Sequence, residues 1–500
     1  MTKVMLINPP RIEYEQSAGF NTYLPIGLLG IAAMIRDICE LKILDCLMTH
    51  FRIKQTKEYI LYGTPFDKIK KIIQDFNPDI VGISTPYSEQ SDNAMIICKM
   101  CKEINPNMIV VFGGPDSSVR YEQLLKETAC DFCVTGEGEK TFFEFINNFN
   151  SKQSLKNIEG VAYRTKGGIH HGPRPFLDNL DELPLPAYDL VDMKAYITSK
   201  YLYKNRSGIR ENSISMITSR GCPFNCIFCS IKLHMGKKYR YHSPDYVIRH
   251  ITLLVKKYGI TNFHFDDDNI SLNKKRFEQI LDKITENKLK INWDAPNGLR
   301  ADTLDYNLLK KIKKSGCDNF MVAIESGNQV VLDNIVRKNA SLKYMVEIVK
   351  HCKKLRINVG AFYIIGFPGE TIENMKETTS LALKLLRKYG VIPRVNLATP
   401  LIGTDLYNLC IEKGFIKKDL TDKEIASASK IYGNTLISTK DFTPSDVKNV
   451  SLDYLRKLKK ELMIHALKHP LFAIKKIINK PDLIIRFFKG INSFLRPAKN

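Results

Sequence analysis

Thr218-Ser219-Arg220-Gly221-Cys222-Pro223-Phe224-Asn225-Cys226-Ile227-Phe228-Cys229 is the stretch from which the rest of this 500-residue chain is read. Residues 213–219 have the pattern of a strand, and Arg220-Gly221 ends it. Three thiols follow in C-x3-C-x2-C spacing. Thiolates are the usual ligands of [4Fe–4S] clusters, normally four of them. Three local thiolates leave one iron without a protein ligand, and a small molecule can bind there. Phe228, inside the C-x2-C step, would shield the cluster from water. The rival readings are a zinc site and buried cysteines. A structural zinc takes four protein ligands, and His234 and His242 lie outside the loop.

Working outward, residues 206–400 alternate strand and helix patterns. Strands are expected at 213–219, 262–267, 291–296, 319–325, 358–365 and 395–399. Helices are expected near 244–257, 274–286, 305–314, 328–337, 343–355 and 371–388. Six β/α units predict an open partial barrel related to the TIM barrel, over 206–405, with its site at the C-terminal mouth. Residues 1–150 alternate in the same way, with strands at Val4–Asn8, Ile43–Cys46, Ile80–Ser84, Ile109–Phe112 and Phe132–Thr135. The α/β pattern predicts a doubly wound, Rossmann-like parallel sheet with ligands at the strands' C-terminal ends. Residues 151–205, rich in Gly, Pro and His170-His171, read as a small hairpin and a linker, and residues 406–500 as mostly helical.

Composition sets the class. A chain with 44% hydrophobic and 26% charged residues is globular rather than disordered or fibrous. The net charge is +22, and residues 451–500 carry 12 Lys+Arg against 3 Asp+Glu, or +9. This excess fits an anionic lipid surface or an acidic partner as well as a solvated tail. No recognised nucleic-acid-binding module accompanies it. No secretory signal or membrane-spanning stretch is visible, so the chain is expected to be cytoplasmic, with reduced thiols.

With these residues in view, the sequence resembles the radical S-adenosylmethionine (SAM) superfamily. Asp266-Asp267-Asp268 ends the second barrel strand, where the family places groups near the SAM amino end. Glu325-Ser326-Gly327 ends the fourth and resembles the segment that meets the SAM ribose and methionine portion. Arg337-Lys338 stands where a basic residue faces the SAM carboxylate. Gly366-Phe367-Pro368-Gly369-Glu370-Thr371 closes the fifth strand, and Thr399-Pro400 resembles the adenine-side segment. The resemblance implies that the open iron binds SAM and that an electron breaks its sulfonium C–S bond. A 5′-deoxyadenosyl radical then takes hydrogen from a small-molecule substrate. It also implies a reductant protein such as flavodoxin or ferredoxin.

Residues 1–150 resemble the cobalamin-binding domain found at the front of one large radical SAM group. The features carried over are Asn8-Pro9-Pro10, Ser84, Gly113-Gly114 and Gly136-Glu137-Gly138-Glu139. Small residues at Ser84 and Gly113-Gly114 would admit a cobalamin nucleotide tail. The D-x-H-x-x-G motif, whose His ligates cobalt in the methionine-synthase kind, is absent, and His50 is at the wrong spacing. The resemblance implies a cobalamin-dependent methyltransferase acting on an unactivated carbon. A relative catalysing cyclisation or oxidation without methyl transfer, and a sensor without turnover, are the rivals. The basic tail hints at a lipid-like substrate. Cys98-x2-Cys101 and Cys130-x2-Cys133 read as core packing rather than a zinc ribbon, because Cys98 and Cys101 fall on an apolar helix stripe. Trp293 reads as core, and His170-His171 as solvated.

Overall fold

A computed structural model describes residues 1–14, 24–49, 52–56, 59–86, 91–198, 212–317, 319–418, 420–421, 424–425, 428 and 433–468. The chain divides into two compact units. One is Met1–Tyr203 with Gly221–Pro223 and Ile231–His242; the other is Lys204–Arg220, Phe224–Ser230 and Ser243–Asn500.

The first unit is built on a seven-stranded sheet. Its order is Gly168–Gly172, Val161–Thr165, Phe132–Val134, Ile109–Gly113, Ile80–Ser84, Lys3–Asn8 and Glu40–Asp45. The last five are mutually parallel. Near-continuous apolar runs such as Ile80-Val81-Gly82-Ile83 suit strands covered on both faces. One face packs Ile69, Ile73, Ile97, Cys98 and Leu124; the other packs Leu28, Ala32, Phe142 and Phe145. The hairpin expected in the linker is present, but it joins the sheet: Val161–Thr165 pairs antiparallel with Phe132–Val134. A small antiparallel sheet of Arg11–Tyr14, Tyr59–Tyr62 and Arg52–Gln55 was not expected, because its strands are only four residues long and Arg11–Tyr14 pairs with a distant stretch. Of the two histidines read as solvated, His170 is exposed and His171 half-buried: its ring lies 4.5 Å from that of Tyr121, and Nε2 is 2.9 Å from Thr135 Oγ1.

The second unit holds two parallel trios. Ser213–Met216, Asn262–Phe265 and Asn292–Asp294 form one; Asn319–Glu325, Asn358–Ile365 and Ile392–Leu397 form the other. Parallel bridges Trp293–Cys317 and Leu299–Val322 join them in sequence order. Helices Pro244–Tyr258, Lys274–Glu286, Tyr306–Lys314, Leu342–Lys354 and Ile372–Tyr389 fill the crossovers. Their ends carry local stop signals. Ser243 caps the first of them through Tyr246 N, and Gly259 ends it at φ 67°. Thr371 and Asn374 make a reciprocal capping box for the last. This is the expected open β/α barrel. Where a helix was expected over 328–337, a single π turn spans Val331–Ile335. Trp293 is core: it packs edge-on against Phe265 and Phe277 and donates Nε1–H to Ser315 Oγ at 3.0 Å.

Helix Pro444–Lys468 packs on Ile372–Tyr389. No helix among the described residues is long and apolar enough to cross a membrane. Most of the basic, apolar stretch 462–498 lies outside the described residues.

Candidate active site

The three motif cysteines differ in setting from the other nine. Cys222, Cys226 and Cys229 are half-buried, and every other cysteine is buried. They lie on a loop after the first barrel strand, and main-chain hydrogen bonds fix that loop. Ile227 N–H donates to Val336 O at 3.1 Å, and Leu406 N–H donates to Ile227 O at 2.9 Å. Cys229 N–H turns back on Cys226 O at 3.1 Å, so the C-x2-C step is one tight turn. Partial access and an ordered loop are what an inorganic cluster with one open iron needs, and three thiols supply the soft donors. Three thiols on one loop are the donor chemistry of a [4Fe–4S] cluster, although among the described residues no group of three ligating side chains converges on one metal position. Burial pushes the Cys226 thiol up, and the cations Lys338 and Arg300 oppose it. Arg300 also lies over the Phe224 ring at 3.4 Å and donates to Lys338 O at 2.7 Å. Phe228 packs against Phe367 with ring centroids 5.9 Å apart, which makes an apolar flank beside Cys229.

Asp267 holds the strand end that leads into the loop. Its Oδ1 accepts from Thr218 N–H at 3.1 Å, from Thr218 Oγ1 at 2.8 Å and from Ser219 Oγ. Arg276 donates to Thr218 O at 2.8 Å. Asp266 lies beside it, its carboxyl raised to about 6 by burial, with a hydrogen bond from Ser215 opposing. On the adjacent strands His264 Nδ1 meets Asp294 Oδ1 at 2.7 Å, both residues fully buried.

The end of strand Asn319–Glu325 is irregular. The register slips between Ala323 and Glu325, and Glu325 adopts φ 67°, a left-handed conformation costly for a non-glycine residue. Its carboxylate is paired at 3.2 Å with Lys338, both side chains under a tenth exposed. Ser326 Oγ lies 3.1 Å from Thr378 Oγ1, and a Cβ on Gly327 would come within 2.7 Å of Glu377 O. Of the basic pair, Lys338 is thus drawn inward. Arg337 is half exposed and sits 3.7 Å from Asp405. Gly366, at φ 88°, and Phe367 donate their N–H groups to Glu370 Oε2, each at 2.8 Å. Glu370 is raised to about 7 by burial, and its Oε1 is a buried acceptor without a partner among the described residues. Pro400 is buried in the turn after the sixth strand.

In the first unit, Ser84 and Gly113 are register partners, and burial gives way at these strand ends. Gly114 takes φ 119°, and a Cβ there would press within 3.1 Å of Thr85 O. A Cβ on Gly113 would meet nothing nearer than Val134 at 3.9 Å. Such an edge, small and open, fits a cobalamin tail. Asn8, beside buried Pro9, donates Nδ2–H to Asp45 Oδ1 at 2.8 Å, and Asp45 also accepts from Tyr196 OH. Burial holds the Asp45 carboxyl above its usual range. Gly136, at φ 70°, donates to Ser118 Oγ at 2.9 Å. Glu137 is engaged by protein: Oε1 pairs with Arg240 at 2.6 Å, and Oε2 accepts from Leu177 N–H at 3.0 Å. Sequence reasoning missed Arg300, Arg240, Tyr196 and the His264–Asp294 pair. Arg240, Tyr196 and His264 find their carboxylate partners 103, 151 and 30 residues away, so no local spacing marks them.

Comparison with known proteins identifies the families of both parts of the chain. The radical SAM superfamily model matches residues 216–382, and the B12 binding domain model matches residues 20–146. An uncharacterised methyltransferase of Pyrococcus horikoshii is 35% identical over 83% of this chain and 84% of its own. The chain belongs to the radical SAM enzymes that carry a B12-binding domain. These enzymes use a [4Fe–4S] cluster, SAM and cobalamin, and depend on a reductant and a small-molecule substrate. Another relative, the cytidylyl-2-hydroxyethylphosphonate methyltransferase of Streptomyces wedmorensis, is 29% identical over 83% of this chain and 82% of its own. In fold, this radical SAM enzyme is similar to the methyltransferase TsrM of Kitasatospora setae, solved with cobalamin and a [4Fe–4S] cluster bound. The TM-score is 0.64 at 15% identity, over 84% of this chain and 76% of that one.

Proposed function

We propose that this radical SAM enzyme moves a methyl group from SAM, by way of cobalamin, to an unactivated carbon of a small molecule. The observation that carries the reading is the B12-binding fold joined to an intact cysteine loop in one chain whose 35% and 29% identical relatives are both methyltransferases. When bound, the cluster supplies the electron that cleaves SAM, and cobalamin carries the methyl group.

The protein's own groups position and shield. Cys222, Cys226 and Cys229 hold the cluster. Lys338, its charge balanced by Glu325, is the basic group for the amino-acid part of SAM. Phe228 and Phe367 form an apolar flank that keeps solvent and stray hydrogen donors away. The open Gly113-Gly114 edge supports the cobalamin assignment made for it.

A flavodoxin or ferredoxin is the fitting electron donor in a reducing, cytoplasmic setting. The +9 charge of residues 451–500 supports a peripheral contact with anionic membrane. Methyl transfer is tested with SAM deuterated at its methyl group, reduced enzyme and a cell extract as substrate source. A small molecule carrying the intact deuterated methyl supports the proposal. Deoxyadenosine without any labelled product means radical chemistry of another kind.

A further inference from the structure

The segment that returns from the cysteine loop, residues 231–242, belongs to the same compact unit as the B12-binding fold, and so does Gly221-Cys222-Pro223. A chain of contacts within that unit connects the cobalamin edge of the sheet to the first cluster cysteine. It starts at Gly136-Glu137, just past strand Phe132–Val134. Glu137 Oε1 pairs with Arg240 at 2.6 Å, the two side chains 9% and 1% exposed. Arg240 also donates to Leu177 O at 3.0 Å and Met235 O at 2.8 Å, and its guanidinium lies 4.8 Å from the centre of the Phe176 ring.

Phe176 fills a slot that two glycines leave open. A Cβ on Gly136 would come within 3.5 Å of its ring, and one on Gly236 within 2.6 Å. Gly236 O in turn accepts from Cys222 N–H at 3.3 Å. Gly221 has no room for a side chain: a Cβ there would lie 2.4 Å from Lys238 O and 2.9 Å from Met235 O.

We infer that Glu137 and Arg240 are positioning residues that hold Cys222, in the same compact unit, in place for cluster binding. Arg240 acts through the carbonyls it fixes. With Met235 O and Leu177 O held, the turn 235–238 keeps its shape, and Gly236 O stays where Cys222 N–H needs it. Glu137 stops that guanidinium from leaving. The carboxylate thus serves the cluster loop, although it sits at the edge read from sequence as a cobalamin contact. An exposed pair on the same strap, Lys238–Asp178 at 2.7 Å, touches none of these carbonyls and provides the control.

The test uses anaerobically reconstituted full-length protein and two readouts that need no substrate: the rate at which bathophenanthroline removes iron, and the dissociation constant for hydroxocobalamin by absorbance. Arg240→Lys and Glu137→Gln are expected to lose iron at least about tenfold faster than wild type. Cobalamin affinity should stay within about threefold and thermal unfolding should remain cooperative. Asp178→Asn should lose iron at the wild-type rate. Unchanged iron release in both Arg240→Lys and Glu137→Gln would overturn the assignment. So would a fall in cobalamin affinity in step with the iron loss, which marks general loosening or a direct cobalamin contact. Neither readout depends on methyl transfer, so failure of that reaction leaves this test intact.

Discussion

Three cysteine pairs of this chain share the C-x2-C spacing, and they stand in two opposite settings, core and loop. Cys98-x2-Cys101 lies within helix Ser91–Ile104, and both thiols disappear into the core with Ala94 and Ile97. Cys130-x2-Cys133 runs into strand Phe132–Val134 and is equally buried. Burial pushes Cys101 up to about 12 and Cys98 higher still, so a thiolate there is disfavoured. Cys226-x2-Cys229 instead occupies a loop held by main-chain bonds from Val336 and Leu406, with both thiols half-buried and Cys226 in the field of Lys338 and Arg300. Spacing alone does not separate a ligand set from core packing. The element on which the spacing falls does.

The comparison is broken most directly by alanine. Cys226→Ala is expected to lower deoxyadenosine formation by more than about 10³-fold, whereas Cys98→Ala should leave the rate per iron unchanged and cost about 1–2 kcal/mol of stability. Equal loss of activity in both would erase the distinction. Thiol labelling of native apo-protein sharpens it. The three loop thiols should react at least about 100-fold faster with an aromatic disulfide than the nine buried ones, which wait on opening of the fold.

The next contrast is between two neighbours in the basic pair. Lys338→Met strands Glu325 in the interior and is expected to cost about 3–5 kcal/mol in denaturant unfolding of the apo-protein. Arg337→Met, at a half-exposed site, should cost under about 0.5 kcal/mol. Comparable losses would mean that the two side chains are not divided between interior and surface as described.

A subtler contrast concerns pH. Glu370 is raised from 4.5 to about 7, so between those values the folded apo-protein keeps a proton that the unfolded chain has released. Its contribution to stability is therefore present below pH 4.5 and falls as pH rises towards 7, by at most about 3 kcal/mol. Glu370→Gln removes this dependence. The variant should gain on wild type between pH 4.5 and 8, and a constant difference between the two would contradict the assignment.

Much of the architecture was legible because local signals agree with it. Ile80–Ser84 and Ile109–Phe112 read as strands and are strands, Gly113 extending the second. The barrel strands 319–325 and 358–365 were placed to the residue. Local pattern failed where pairing depends on distant residues. The hairpin Val161–Gly172 was visible, yet only tertiary pairing shows that it extends the sheet. The antiparallel strand Arg11–Tyr14 pairs with a stretch nearly fifty residues away. The site divides in the same way. The cysteine spacing was visible in the sequence, because a loop motif is local. Glu137 was read as facing cobalamin, and its carboxylate is taken by Arg240, 103 residues further along. His264 carried no role in the sequence, because Asp294, its partner, lies across a strand pair.

The most direct test of the account is anaerobic reconstitution of wild type and Cys226→Ala with iron, sulfide and hydroxocobalamin, followed by dithionite and SAM. The account predicts about four irons per wild-type chain, with deoxyadenosine formed and corrinoid retained. Cys226→Ala should keep its corrinoid, lose most of its iron and form no deoxyadenosine. Deoxyadenosine at the wild-type rate from Cys226→Ala, or wild type that binds neither iron nor corrinoid, would contradict it.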